Sequence, residues 1–187
     1  MGRRRVGEDQ WRYGGRASAE VRGTLLRCAL DFVRATREVH GVRRIAALGS
    51  LLTAKPRPKD ADVLVTITSD ANLPDLAKRA RQLKGAAQTR INSTADVFLA
   101  DESDRYLGRV CEFRECFPRV RCRARHCGGQ QHLRDDLDVL TLDSALIADP
   151  PLILFPVLVA QIELPADVER ILAAPLRLDY ETRNAHS

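Results

Sequence analysis

Long apolar runs are missing from this chain of 187 residues. The longest, PPLILFPVLVA, is interrupted by Pro156 and falls short of the roughly 20 residues that a membrane-spanning helix needs. The opening residues, MGRRRVGEDQ, hold no apolar core of a secretory signal, and position 6 is Val where a myristoylation motif takes Ser or Thr. Internal repeats and low-complexity tracts are missing as well. These absences exclude membrane-spanning classes and lead to the expectation of a cytoplasmic protein. What is present is an ordinary globular composition, 44% hydrophobic and 29% charged, in a chain long enough to bury the core of one domain. Its formal charge is +5. Arg3, Arg4, Arg5, Arg12 and Arg16 crowd the N-terminus around Trp11 and Tyr13. Such a segment can contact nucleic acid, but a solvated, flexible tail over residues 1–16 is the plainer reading.

The stretch IAALGSLLTAKPRPKDADVLVTI carries the most chemistry. Gly49 and Ser50 end one apolar run, a basic loop with Pro56 and Pro58 follows, and Asp60 and Asp62 open a second apolar run. In an extended strand alternate side chains share a face, so Asp60 and Asp62 project together while Ala61 and Val63 point the other way. Two carboxylates on one face at the end of a buried strand repel each other unless a cation or a proton lies between them. Mg²⁺ carrying a nucleotide phosphate suits that position. A plainer reading stays open, since Asp-Ala-Asp also suits a turn before a strand and Gly-Ser is common loop chemistry.

Leu48-Gly49-Ser50, the spacer, and Asp60-x-Asp62 followed by Val63 together resemble the signature of the DNA polymerase β-like nucleotidyltransferase superfamily, and the size suggests its minimal members. The resemblance covers about residues 42 to 100. It implies a third carboxylate on a later strand, and Asp96 in ADVFLA fits. It further implies catalysis by Asp60, Asp62 and Asp96, with Asp60 and Asp62 sharing Mg²⁺ with a triphosphate, ATP in the first place. Asp96 would help hold a second ion and orient or deprotonate an acceptor hydroxyl. Gly49 and Ser50 would meet phosphate through backbone and hydroxyl. Many minimal members carry an arginine soon after the Gly-Ser and a serine before the first aspartate. Here Leu51, Leu52 and Thr53 stand in the first place and Lys59 in the second, so Lys55, Arg57 and Lys59 are the candidates for nucleotide binding.

Periodicity gives the frame. Ser18 is read as the N-cap of a helix that Gly41 stops, with strands at 43–48, 61–67 and 94–100. Asn72 and Pro74 open a second helix that closes near Gly85. A strand-like run at 138–142, a short helix at 143–148 and a last helix from Pro165 follow, with residues 178–187 fraying. The fold class expected is α/β (α+β), a mixed β-sheet flanked by helices with the three carboxylates at one end. Residues 17–104 form the nucleotidyltransferase-like core, and 105–187 supply a Cys-rich segment and elements completing the same domain.

Cys111, Cys116, Cys122 and Cys127 fall in a C-x4-C-x5-C-x4-C pattern, with His126 beside the last. In a cytosolic chain this favours a structural Zn²⁺ held by four thiolates, or by three and His126. Unligated buried thiols and redox pairs are the alternatives. Cys28 sits on the core face of the first helix and needs only a packing role. Two classes of function follow. One is a Mg²⁺-dependent transfer of a nucleoside monophosphate to a hydroxyl on protein, RNA such as tRNA, or a small molecule. The other is a catalytically silent, zinc-stabilised module that binds nucleic acid or protein.

Overall fold

The structure, a computed structural model, describes residues 9–114, Cys116, Cys127 and residues 130–185. The first helix, α1 (Asp9–Thr36), begins well before Ser18, so the helix takes in the second half of the segment expected as a tail. Leu25, Leu26, Ala29, Phe32 and Val33 recur at helical spacing along it and are buried. Then come β1 (Val42–Leu48), a 3₁₀ turn (Gly49–Leu52), β2 (Asp60–Ile67), α2 (Leu73–Ile91) and β3 (Thr94–Asp101). The expected strands at 43–48, 61–67 and 94–100 are therefore present. Asn72 caps α2 by accepting the Asp75 N–H, and Pro74 fills the first turn, as its spacing predicts. Gly85 does not stop α2. The helix runs on to Ile91 and ends at Asn92 in the left-handed conformation, φ 51°.

Beyond the third strand lie β4 (Tyr106–Val110), β5 (Leu133–Arg134), α3 (Ser144–Ala148), β6 (Leu152–Phe155) and β7 (Val159–Ala160). Residues 138–142 are not a strand. The Val139 and Leu140 N–H groups donate to the Asp136 carbonyl at 2.8 and 2.9 Å, closing a turn that leaves Val139 exposed. The short helix expected at 143–148 is present as α3, with the Asp143 carboxylate accepting the Ala145 N–H. Finally α4 (Ala166–Val168) passes through a π-turn at Glu169–Ala173 into α5 (Ala174–Asn184). The expected fraying from 178 is overturned over most of that span. Asp179 accepts from Arg34 twice at 2.9 Å and from Arg37 at 3.1 Å, fastening α5 to α1.

Among the described residues the sheet has seven strands, in the order β5-β4-β3-β2-β1-β6-β7. Only β2 and β3 are parallel; every other neighbouring pair is antiparallel. A parallel pair needs a crossover, and α2 provides it. Ala61, Val63, Val65, Ala95, Val97 and Leu99 share one core with α1, α2 and the C-terminal helical run. The opposite face carries a smaller cluster, Leu48, Leu64, Phe98, Tyr106 and Ile147 among it. Asp60, Asp62 and Asp96 alternate with the first set, so they occupy the face away from α2, at the end where β2 and β3 begin.

Gly108 is a second constraint. Its φ is +123°, and a Cβ there would lie 2.2 Å from the Arg134 carbonyl oxygen, inside the β4–β5 pairing. Gly108→Ala is expected to lower the unfolding free energy by about 1–3 kcal/mol or more and to detach β5. Urea titration with hydrogen exchange at Leu133 and Arg134 checks this; unchanged stability and protection would contradict it.

Candidate active site

The parallel register sets Asp62 directly opposite Asp96 and Asp60 opposite Thr94. On the other side of β2, Asp62 pairs with Leu48, the last residue before Gly49. Gly49 has φ +70°, and a Cβ built on it would stand 2.5 Å from the Asp62 carboxylate oxygen Oδ2. Only glycine lets the chain turn this closely over the carboxylate. Asp62 is half-buried, and its carboxyl is pushed up from 3.8 to about 6. Burial is the main cause, the charges of Asp60 and then Asp96 add to it, and Arg109 opposes it. Asp60 and Asp96 therefore both lie within electrostatic reach of Asp62.

Two clamps hold the surroundings, and sequence reading identified neither. Arg22 of α1 is 5% exposed. Its guanidinium donates to the Leu51 carbonyl at 3.0 Å and the Lys55 carbonyl at 3.2 Å, and it is ion-paired with Asp167 of α4. Burial pushes the Asp167 carboxyl upward, but the Arg22 hydrogen bond and charge outweigh it and the net displacement is downward. The Gly49–Lys55 segment is thus tied from behind. The loop's other end is fixed where the Ser93 hydroxyl donates to the Lys59 carbonyl at 2.6 Å.

The second clamp is Asp136, whose side chain is fully buried. It accepts from Arg109 Nε at 2.6 Å and from the Tyr106 hydroxyl at 3.5 Å. Held this way, Arg109 extends Nη1 to within 3.3 Å of Asp96 Oδ1. A buried carboxylate needs such a partner. Asp136 belongs to the acidic QQHLRDDLDVL run, whose simplest reading is a solvated turn; its burial is what the sequence alone leaves hidden.

Ser50 is half-buried beside Gly49, whereas Lys55, Arg57 and Lys59 are exposed on the loop between the 3₁₀ turn and β2. Cys111 and Cys116 are buried and Cys127 is exposed; Cys122 and His126 lie outside the described residues. Backbone N–H of His132 donates to Cys116 Sγ at 3.1 Å, and its carbonyl accepts from Cys111 N–H at 2.7 Å. Among the described residues no three His, Cys, Asp or Glu side chains form a group able to hold a metal on their own. Mg²⁺ is ordinarily held by one or two carboxylates together with phosphate oxygens and water, so a full protein cage is not what its chemistry requires. The surplus negative charge at Asp62 and the close backbone at Gly49 fit such an ion with its phosphate.

The raised carboxyl of Asp62 gives a signed pH dependence. Folded protein binds this proton more tightly than unfolded chain, so the ionised group opposes folding above pH 6, and the penalty fades as pH falls from about 6 to 3.8. In metal-free buffer Asp62→Asn is expected to raise stability at pH 7.5 by about 1–2 kcal/mol, partial exposure having been allowed for. The gain should vanish near pH 4. Denaturant titrations across this range test it, and a gain that grows on acidification would refute the assignment.

Comparison with protein-family models, with curated proteins and with solved structures returns no match.

Proposed function

We propose that the chain is a Mg²⁺-dependent nucleotidyltransferase that moves a nucleoside monophosphate from a nucleoside triphosphate, ATP in the first place, to a hydroxyl acceptor. The observation that carries this reading is the pairing of Asp62 with Asp96 across parallel strands, with Gly49 turned tightly over Asp62. The acceptor oxygen attacks the α-phosphorus, the bond from that phosphorus to the bridging oxygen breaks, and pyrophosphate leaves. Bound Mg²⁺ supplies charge stabilisation on the phosphate oxygens. Asp60 and Asp62 hold that charge at the nucleotide side. Asp96 orients the acceptor hydroxyl and takes its proton. Gly49 and Ser50 receive the phosphates, and the exposed Lys55, Arg57 and Lys59 supply positive charge along the loop.

A second reading rests on the Arg109–Asp96 contact, which occupies the third carboxylate with a fixed cation. In that reading the fold is a catalytically silent binding module. Structural zinc on the cysteine segment is a separable part of the proposal. Elemental analysis of protein purified without added metal is expected to give one zinc per chain, and folded, zinc-free protein removes that part.

Titration calorimetry with a non-hydrolysable ATP analogue separates the two readings. Mg²⁺-dependent binding is expected in wild type and its loss in the Asp60→Asn, Asp62→Asn double variant. Turnover should fall by about 10²–10³-fold in either single variant, as for removal of a principal charge-stabilising group. Equal binding in wild type and variant, or no binding of any nucleoside triphosphate, favours the silent module.

A further inference from the structure

A cavity of about 530 Å³ opens beside Asp96, on the side away from Asp62, lined by Lys84, Arg109, Phe113 and Arg134 among others. Its volume falls in the range of about 300–1,000 Å³ usual for small-ligand sites. A groove of about 480 Å³ lies next to it, lined by Lys78, Arg81, Gln82, Gly85 and Arg114. Lys84 and Phe113 belong to the cavity while their chain neighbours Gly85 and Arg114 belong to the groove, so the two depressions adjoin. Topology explains the alignment. Helix α2 leaves the far end of β2 and returns toward the start of β3, so its later turns approach the carboxylate end of the sheet. Lys78, Arg81, Gln82 and Gly85 follow one another at helical intervals and form one stripe about 10 Å long.

The charges differ along this path. Three cations and no acidic side chain line the groove, among the described residues. In the cavity Lys84 is paired with Glu112 at 2.9 Å and Arg109 with Asp96 at 3.3 Å. Phe113, which lines the cavity with Asp96 and adjoins Arg114 of the groove in the chain, is 56% exposed although it is a large aromatic. Cations in a row ending at an exposed ring are the features by which single-stranded nucleic acid is held: backbone phosphates on the charges and a base on the ring.

We propose that the groove of Lys78, Arg81 and Arg114 binds a single strand of nucleic acid, with a base on Phe113 and the strand's end in the cavity, so that a terminal hydroxyl faces Asp96. The acceptor half of this statement rests on the nucleotidyltransferase reading; the binding half does not.

Fluorescence anisotropy with labelled single-stranded RNA and DNA of about twelve nucleotides tests it on the full chain. Wild type is expected to bind, with affinity falling steeply between about 50 and 200 mM salt. Replacing Lys78, Arg81 and Arg114 together by Gln should weaken binding at least tenfold and flatten the logarithmic salt dependence by about 2, three phosphate contacts on a single strand being lost. Phe113→Ala should weaken the oligonucleotides about tenfold while leaving inorganic polyphosphate unaffected, which separates base stacking from plain anion binding. Thermal melts confirm that the variants fold. Equal oligonucleotide affinity in wild type and triple variant, or none in wild type while the ATP analogue still binds, overturns the inference and spares the nucleotide site. Groove-dependent oligonucleotide binding without any nucleotide binding supports the groove and overturns the enzyme reading instead.

Discussion

The in-register parallel pairing of β2 with β3 is the constraint from which the rest of the site follows. It brings Asp62 level with Asp96, and because side chains alternate it gives both carboxylates one face while Ala61, Val63, Ala95 and Val97 serve the core on the other. A one-residue slip of β3 would bury Asp96 under α2 and expose Val97, so the hydrophobic pattern that holds the core also fixes the chemistry. The crossover that such a pairing demands is α2 itself, which returns its basic flank to the same end of the sheet.

Around these strands the charges are graded. On one side the chain turns over Asp62 through a residue with no side chain, and burial together with the charges of Asp60 and Asp96 makes that carboxylate hold its proton unusually tightly. On the other, Arg109 reaches Asp96 and is itself fixed by the buried Asp136. Two carboxylates facing each other across adjacent strands therefore live in different electrostatic surroundings, a division that suits different roles.

Much of this was legible from residue order. Alternation around Asp60, Asp62 and Asp96 gave the right strands, because burial on one face leaves a period-two imprint that few other arrangements produce. The ends of elements were harder. Gly85 has open space around it, so α2 passes through it, and the real stop is Asn92 in a left-handed conformation that a helical pattern does not announce. Leu137 and Val139 alternate with aspartates as in a strand, yet both are exposed, since the partner that decides this segment is Asp136 turning inward to Arg109, 27 residues earlier in the chain. Such a pairing between a charged residue on a short strand and another in a turn leaves no periodic trace. Arg22 escaped for the same reason: an arginine in an amphipathic helix reads as solvated until the loop and Asp167 close over it.

That closure orders events in time. Arg22 is shared between the segment following Gly49 and an aspartate near the far end of the chain, and α1 is fastened to α5 through Asp179. A polypeptide still emerging from the ribosome can pair β1 with β2 and lay α2 across them well before residue 167 exists. Its Gly49–Lys55 segment, however, lacks until then the carboxylate that neutralises the arginine beneath it. The loop is thus closed by a residue 145 positions after Arg22, so it is fastened only after the strands that carry the aspartates have been made.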